Sequence, residues 1–406
     1  MEREPIVLDM SGADTQGESA RLRERGPATL VELPGGVLAW SVTHAATLKS
    51  LLADPRVSKD PVQHWTAFTN GEITQDWPLF TWVAVDNMFT AYGAEHRRLR
   101  KLVSPAFTHR RTMALRPRIE ALIEELLGKL AATAPGEVVD LREMYAYPVP
   151  IQVITELLGV PDSIAPGLRR CVDRYFDTTI SQEEGLANYT EMYGLVSELV
   201  AYRRTNPGED ITSVMIATRD DDGSALTEKE LVDTLMLVIN AGHETTVNLL
   251  DQAIVALLTH PEQRRAVLEG RVSWSDVVEE TLRYESPVAH LPLRYAVEDI
   301  DIDGVHINKG DAILASYAAA SRDPKVHGHT TNVFDLSRPN KDHVAFGHGV
   351  HHCIGSPLAR MEGEMALPAL FQRFPGLRLA VEPSALEPVV SFVSNGHKTL
   401  PVYLGN

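Results

Sequence analysis

The longest helical pattern in the chain begins at Thr227 and runs to about Leu258, just before His260 and Pro261. Thr227 and Glu230 are spaced as a capping box, and apolar residues cover most faces of the pattern. A helix of about 30 residues, at about 1.5 Å per residue, is about 45 Å long and can cross a whole domain. The pattern therefore predicts a buried central helix.

Most of the remaining chain also shows helical spacing, and a smaller part alternates as strands do. Helices are predicted around 18–24, 45–53, 115–131, 151–159, 164–176, 182–204, 277–284 and 358–374. Strands are predicted at 28–33 and 37–41, joined by a Pro-Gly-Gly turn, and at 293–296, 300–302, 305–307, 312–316, 378–380, 389–392 and 402–404. We therefore expect a mainly α protein with a minor β component.

No linker, repeat or low-complexity tract divides the 406 residues, so we expect a single domain that spans residues 1–406. The formal net charge of -17 argues against general binding to nucleic acid. The N-terminus is short and polar, and no apolar run is long enough for a membrane span. Because the chain has only two cysteines, Cys171 and Cys353, we expect no disulfide framework and a cytoplasmic protein without a membrane partner.

The middle of the predicted central helix departs from its apolar pattern. Residues 240–246 read Asn-Ala-Gly-His-Glu-Thr-Thr. Glycine and threonine loosen helical hydrogen bonding, and polar groups in a core are costly unless they have partners. We therefore expect a kink here that serves a function.

A second unusual stretch, residues 346–355, carries Cys353 between Gly349 and Gly355, where we expect the backbone to need unusual freedom. The residues Ser356 to Arg360 come directly afterwards and lead into a helix-like run, and the N–H groups at the start of that helix would favour a thiolate. The stretch is therefore typical of a loop that holds one sulfur against a metal. An inert core cysteine is one alternative, and zinc is another, although the paired ligand spacing of zinc sites is absent.

Of three further patterns, two have both a plain and a functional interpretation, and one is ordinary when taken by itself. The basic run 95–101 is a solvated helix face or an anion site, because His96 and Arg100 share one face at i, i+4. Glu280 and Arg283, at i, i+3, are spaced as an ordinary helix salt bridge. The aromatic stretch 60–90 is core packing or a loop that lines a substrate.

Together these motifs resemble those of the cytochrome P-450 enzymes. The residues Phe346, Gly349, His351, Cys353 and Gly355 stand in the pattern of the family's haem-binding loop. Residues 241–246 resemble its oxygen-activation motif, and Glu280 with Arg283 and Arg338 resembles its paired Glu/Arg helix and third partner. The resemblance covers essentially the whole chain and is to the soluble bacterial class, especially actinomycete enzymes. His352 departs from it, since many relatives carry an apolar residue there.

The resemblance implies a single-domain cytochrome P-450 fold that binds haem b, with Cys353 as the thiolate ligand of the iron. Glu244 and Thr245 would be catalytic, on the side where dioxygen binds, and Glu280, Arg283 and Arg338 would be structural. The implied cofactor-binding residues are His96, Arg100, Ala241, Gly242, Arg294, Phe346, Gly347, His351, Cys353 and Gly355.

The implied reaction is insertion of one oxygen atom from O2 into a C–H bond of a hydrophobic small molecule, such as a steroid, a polyketide or macrolide, or an aromatic compound. Alternatives with the same cofactor are oxidative coupling, cyclisation and peroxide-driven oxidation, and a further one is a non-enzymatic haem protein. The expected substrate-lining residues are Trp82, Val85, Met88, Phe176, Thr179, Ile239, Val288, Leu291, Phe392 and Val393.

Electrons would come from NAD(P)H through a ferredoxin reductase and a ferredoxin, since no redox module is fused to the chain. A cationic surface would dock the ferredoxin, and the protein would act as a monomer. The residues expected to form that surface are Arg97, Arg98, Lys101, Arg110 and Arg111.

Overall fold

Helices make up most of the fold in the computed structural model, which describes residues 4–175 and 180–405. The helices are α1 (Thr15–Arg25), α2 (Ala45–Ala53), α3 (Pro61–His64), α4 (Thr66–Thr69), α5 (Phe80–Val83), α6 (Gly93–Val103), α7 (His109–Ala114), α8 (Arg116–Ala131), α9 (Pro148–Leu158), α10 (Ala165–Tyr175), α11 (Gln182–Thr205), α12 (Ile211–Ala217), α13 (Glu228–Thr259), α14 (Pro261–Leu268), α15 (Trp274–Tyr284), α16 (Tyr317–Ser321), α17 (Pro324–His327) and α18 (Ser356–Arg373). The predicted class, mainly α with a minor β component, is confirmed.

The strands are short and mostly form one sheet. They are β1 (Ile6–Val7), β2 (Ala28–Leu33), β3 (Val37–Val42), β4 (Val57–Ser58), β5 (Val138–Asp140), β6 (His290–Ala296), β7 (Ile300–Ile302), β8 (Val305–Ile307), β9 (Ala312–Ser316), β10 (Arg378–Leu379) and β11 (Pro401–Tyr403). The described strands form a six-stranded sheet in the order β1-β2-β3-β9-β6-β4, a three-stranded sheet β10-β11-β5 and the hairpin β7-β8.

Helix α13 is the central element, as the hydrophobic pattern predicted. Its capping box joins Thr227 and Glu230 reciprocally, and it packs against α9, α11, α15 and α18 within the largest hydrophobic cluster. Residues 228–259 are helical without interruption, so the polar stretch 240–246 does not break the helix. The hydroxyls of Thr245 and Thr246 donate to the carbonyls of Ala241 and Gly242, at 2.7 and 3.4 Å, which gives them partners inside the intact helix.

The aromatic stretch 60–90 folds as three short helices against the six-stranded sheet. Trp65 is buried and stacks on Tyr295 at a centroid distance of 5.1 Å, and Trp77 meets it edge-on at 5.5 Å. These rings belong to a core cluster under the sheet. Trp65 and Trp77 therefore fit the interpretation as core packing. Trp82, later in the stretch, lines a cavity instead.

One predicted strand, 389–392, does not form. The isolated bridges nearby, Val288 with Ser394 and Pro388 with His397, flank this segment and do not include its residues. The hydroxyl of Ser391 accepts bonds from the N–H groups of Val393 and Ser394, at 3.2 and 3.1 Å, and such local bonds compete with a strand ladder. In the described part of the chain, no helix combines the length and the apolar character needed to cross a membrane.

Candidate active site

The loop before Cys353 is shaped by two glycines with left-handed backbone. Gly347 and Gly349 have φ values of 71° and 70°, and a Cβ on Gly349 would lie 2.4 Å from the carbonyl oxygen of Leu52. Gly355 has φ -83° and ψ 0°, which any residue can adopt. The expectation of unusual backbone freedom therefore needs correction at Gly355, where the chain has already entered the first turn of α18.

The sulfur of Cys353 faces a set of hydrogen-bond donors. The N–H groups of Gly355 and Ser356, at the start of α18, point at it. Burial raises the pKa of the Cys353 thiol, whereas these N–H groups and the charges of Arg100 and Arg360 lower it. The sulfur is surrounded by protein but has accessible surface, because it lines a large internal cavity.

This first cavity has an empty volume of about 1410 Å³ and joins the Cys353 loop to α13. Its walls are mostly apolar, and Thr245 and Glu362 are among its few polar side chains. The predicted cofactor and substrate residues that line it are Met88, Arg100, Ala241, Gly242, Val288, Leu291, Arg294, Phe346, Gly347, His351, Cys353 and Gly355. Of the predicted cofactor residues, only His96 does not line it; its ring lies behind that of His351 at a centroid distance of 4.1 Å.

The first cavity also has a cationic wall with unused donors. Lys59, Arg100, Arg294 and His351 line it, and burial, followed by the charge of Lys59, lowers the pKa of His351. Nη1 of Arg294 and Nε2 of His96 are buried without a hydrogen-bond partner. Buried donors of this kind are costly unless a ligand supplies acceptors. A thiol on one part of the wall and unpaired cations on another fit a group that carries both a metal and carboxylates.

A second, adjoining cavity of about 840 Å³ is lined by five of the residues that were predicted to contact substrate: Trp82, Val85, Val288, Leu291 and Val393. Thr245, Ala241 and Phe89 line both cavities.

Two other predicted substrate residues lie elsewhere. Ile239 and Phe392 are buried in hydrophobic clusters and line neither cavity, because their side chains point into the core, so their assignment needs correction. Phe176 and Thr179 fall outside the described residues.

Glu244 does not line either cavity, unlike its neighbour Thr245. Its Oε1 accepts a bond from Nη2 of Arg142 at 2.9 Å, and both side chains are largely buried. Nη1 of Arg142 also donates to Asn248 at 3.0 Å. Burial raises the pKa of Glu244, and the charge of Arg142 opposes that rise. In this arrangement the carboxylate is held by Arg142 and away from the cavity.

Glu280, Arg283 and Arg338 come together as a buried cluster. Arg283 donates to both carboxylate oxygens of Glu280, at 2.8 and 2.7 Å, and Nε of Arg338 reaches the same carboxylate at 3.4 Å. The two arginines also donate to the backbone carbonyls of 330, 331 and 333. The cluster thereby ties α15 to the loop that follows α17.

The zinc interpretation of the cysteine loop finds no support in the described residues, since no three His, Cys, Asp or Glu side chains among them converge on one point. The interpretation as an inert core cysteine fits the other cysteine instead: Cys171 is fully buried within the main hydrophobic cluster.

Comparison with known proteins decides the family. Residues 196–270 and 274–390 match the model of the cytochrome P-450 family. The chain is 49% identical to the 2-hydroxy-5-methyl-1-naphthoate 7-hydroxylase of Streptomyces carzinostaticus, over 98% of this chain and 97% of that protein. The chain belongs to the cytochrome P-450 family. The resemblance inferred from the motifs is therefore confirmed, including its likeness to actinomycete enzymes.

Solved cytochrome P-450 structures share the whole fold. CYP154A1 from Streptomyces coelicolor A3(2) matches with a TM-score of 0.92 and 54% identity, over 98% of this chain and 100% of that one. Testosterone-bound CYP154C4 from Streptomyces sp. ATCC 11861 matches with a TM-score of 0.95 and 44% identity, over 99% of each chain. The protein is thus a cytochrome P-450 monooxygenase with the single-domain fold of the family, and the family implies a haem-thiolate cofactor.

Two residues of this P-450 site were missed by sequence reasoning. Lys59 lines the first cavity and Arg142 holds Glu244. Each stands in a polar stretch at the end of a short strand, β4 or β5, where a charged residue is ordinary. No periodicity or motif separates them from surface charges, so only the tertiary structure reveals them.

Proposed function

We propose that this P-450 binds haem b through the thiolate of Cys353 and inserts one oxygen atom from O2 into a C–H bond of a hydrophobic natural product. The observation that carries the proposal is the first cavity. It has a thiol with N–H donors on one wall, basic side chains without carboxylate partners on another, and apolar lining residues such as Leu237, Val288 and Leu291 that it shares with the second cavity. The haem, when bound, supplies dioxygen binding and its activation.

The chain's own residues would hold that group in a defined orientation. Arg100, Arg294 and His351 offer donors for its carboxylates, with His96 behind His351. The N–H groups of Gly355 and Ser356 would tune the sulfur by hydrogen bonding. Glu280, Arg283 and Arg338 would act at a distance, by holding the loop that precedes the cysteine segment.

Thr245 is the polar residue of α13 that lines both cavities. Its hydroxyl donates to the carbonyl of Ala241 and can accept a proton-bearing partner from the cavity side. Glu244 would deliver protons only after its bond to Arg142 opens, because the carboxylate is otherwise held away from the cavity. The apolar walls around Thr245 would keep out bulk water and so limit wasteful side reactions.

The substrate would be a hydrophobic ring system. A relative at 49% identity carries the name of a naphthoate hydroxylase, and a neighbour at 44% identity was solved with testosterone. Trp82, Val85, Leu291 and Val393 give the second cavity an apolar lining suited to such molecules. We therefore favour an aromatic polyketide or a steroid-like compound over a highly polar substrate.

The remaining parts of the proposal concern the redox partners, the cellular location and the oligomeric state of the enzyme. A ferredoxin and its reductase would pass electrons from NAD(P)H, and the enzyme would work as a cytoplasmic monomer. The expected docking surface is smaller than the sequence implied. Arg98 pairs with Glu95 and Glu230, Lys101 pairs with Asp220 and Asp221, and Arg111 donates to the carbonyl of Glu209.

The first test is the difference spectrum of the reduced protein with carbon monoxide. Thiolate ligation gives a Soret band far to the red of that of ordinary haem proteins. We expect the band in the wild-type protein and in Cys171→Ser, and its loss in Cys353→Ser. Cys171 is a matched control because it is buried in the core. Absence of the band in the wild type, or its survival in Cys353→Ser, would contradict the proposal.

The second test separates oxygen insertion from oxidative coupling. A library of aromatic and steroid compounds is screened for the low-to-high-spin shift, and the best ligand is turned over under ¹⁸O2 with a ferredoxin system. Insertion predicts one labelled oxygen atom in the product. A product that has lost hydrogen and carries no label would favour coupling or cyclisation.

A further inference from the structure

Lys59 is a buried cation that the backbone directs into the first cavity. It follows β4, which pairs antiparallel with β6 so that Val57 is opposite Ala296 and Ser58 is opposite Tyr295. Lys59 comes directly after this pairing and lies close enough to Arg294, another residue of the cavity wall, for the charge of Arg294 to act on it. Like charges close together in a protein interior each disfavour the charged form of the other. Placing Lys59 beside Arg294 therefore costs free energy, and another interaction must offset that cost.

The protein gives the ammonium group little compensation. Nζ of Lys59 is 3.5 Å from the carbonyl oxygen of Leu293 and 3.7 Å from the centre of the Phe89 ring. No carboxylate of the described chain lies within 4.0 Å of it, and the side chain is only 3% exposed. The adjacent Asp60 is already occupied, because its two oxygens accept bonds from the backbone and side-chain nitrogens of Gln63.

A buried ammonium group without a carboxylate partner is normally excluded from protein interiors. Burial and the nearby charge of Arg294 both lower the pKa of Lys59, which shows how poorly the site serves the charged form without a ligand. A carboxylate in the first cavity would meet Lys59 and Arg294 together. It would also give Nη1 of Arg294 the acceptor that it lacks.

We propose that Lys59 is a carboxylate-binding residue of the first cavity. The carboxylate belongs either to a propionate of the bound haem or to an acidic substrate, and the inference rests on the proposed haem-binding function. Both sources are compatible with the position of Lys59. It lies beside Arg294 on the cationic wall and over Phe89, which lines the haem-side and the substrate-side cavities alike.

The test compares Lys59→Met, which keeps the length of the side chain and removes its charge, with Lys59→Arg, which keeps the charge. Lys59→Gln is a second neutral variant in case Lys59→Met folds poorly. The matched control is Lys49→Met, since Lys49 is a partly exposed lysine paired with Asp342. Circular dichroism and the carbon monoxide band establish that each holoenzyme is folded and correctly ligated.

Two measurements distinguish the two carboxylates. The first is the rate of haem transfer from each holoenzyme to excess apomyoglobin. The second is the ratio of dissociation constants for 1-naphthoate and the neutral 1-naphthamide. If Lys59 holds a propionate, haem loss is roughly tenfold faster in the neutral variants and near wild type in Lys59→Arg. If it holds a substrate carboxylate, haem loss is unchanged and the preference for naphthoate falls by a similar factor.

The inference is overturned if neither the rate of haem loss nor the naphthoate preference differs between the neutral variants and Lys49→Met. That result would leave the proposed function intact, because the carbon monoxide band of the same samples reports thiolate ligation separately. Loss of the band in the wild type would instead remove the proposed function itself.

Discussion

At the scale of single residues, the cysteine loop depends on the glycines that precede the sulfur. Gly349 combines a left-handed backbone with a close approach to Leu52, so two independent constraints exclude a side chain there. Gly355 carries neither constraint, and a Cβ on it would lie 3.9 Å from Sγ of Cys353, an ordinary contact. The sequence marks both positions as glycine, but only the backbone angles separate the essential one from the permissive one.

We predict that Gly349→Ala lowers the free energy of unfolding by at least about 2 kcal/mol. An alanine in left-handed backbone costs roughly 1–2 kcal/mol, and the contact with the backbone of Leu52 adds to it. The control is Gly128→Ala in α8, where nothing lies within 4 Å of the new Cβ and the helix should gain about 0.5–1 kcal/mol. Chemical denaturation measures both; equal stabilities would contradict the prediction.

His397 links the stability of the protein to pH. Its Nδ1 is 2.8 Å from Oδ2 of Asp251, and Glu285 and Arg142 are the other charged groups that act on it. Burial alone would lower the pKa of His397, but the bond to Asp251 and the charges of Asp251 and Glu285 raise it overall. Because the folded pKa lies above the unfolded value, the protonated form is the one that folding favours.

The stabilisation from His397 should therefore be complete below the unfolded pKa of about 6.5 and disappear as pH rises through the folded value. We predict that the wild-type protein loses more stability than His397→Gln between about pH 6 and pH 9. Denaturation midpoints across that range measure the difference. The surface variant His329→Gln should follow the wild type; a parallel fall in His397→Gln would disprove the link.

At the scale of secondary structure, α13 shows which features of a helix a hydrophobic pattern predicts and which it does not. The capping box and the apolar faces predicted its start, its length and its burial. The same reasoning expected residues 240–246 to loosen the helix, but the helix continues through them, and the threonine hydroxyls bond to carbonyls one turn earlier. Polar residues in a buried helix thus need not interrupt it when their partners lie on the helix itself.

Thr245 is a residue of α13 that lines both cavities while its hydroxyl bonds to the carbonyl of Ala241. We predict that Thr245→Ala leaves the helix folded but releases most reducing equivalents as hydrogen peroxide, because a hydroxyl that organises protons at the cavity is lost. Thr245→Ser should retain most of the coupling. Peroxide and product formed per NAD(P)H are the measurements, with a ligand found by the spin-shift screen; unchanged coupling in Thr245→Ala would remove that role.

At the scale of the whole molecule, the local sequence predicted the secondary-structure elements well, but it predicted poorly which distant residues come into contact. The hairpin of β2 and β3, helix α2 and strands β7, β8 and β9 lie where the pattern placed them. Motifs identified Cys353, and the structure brings it into one cavity with Arg100 and Arg294.

The site depends on contacts between residues that are far apart in the sequence, and no short stretch of sequence reveals such contacts. Lys59 lies near Arg294 only because β4 pairs with β6, and Arg142 reaches Glu244 across 102 positions of the chain. The prediction of a strand at 389–392 was wrong for a local reason. Hydrogen bonds to the hydroxyl of Ser391 form there, in place of the bonds to a neighbouring strand that these residue types favour.

The distribution of charge over the molecule limits how a redox partner can dock. The net charge is -17, and two of the five cations expected to attract a ferredoxin, Arg98 and Lys101, are neutralised by acids of the chain itself. Arg97 and Arg110 are exposed and have no ion pair within the described residues. These two therefore carry the attraction if an acidic ferredoxin docks near the cysteine loop.

We predict that Arg97→Glu and Arg110→Glu each slow reduction by an acidic ferredoxin several-fold at low ionic strength, since charges at an interface rim act mainly on the association rate. Arg21→Glu changes the net charge equally on α1, beside the six-stranded sheet, and should have little effect. Raising the salt concentration should slow the wild type and shrink the differences, because exposed charges are screened beyond about 10 Å at 0.1 M. Stopped-flow reduction under carbon monoxide measures each rate. Equal rates for Arg21→Glu and Arg110→Glu would mean that net charge, and not this surface, governs the encounter.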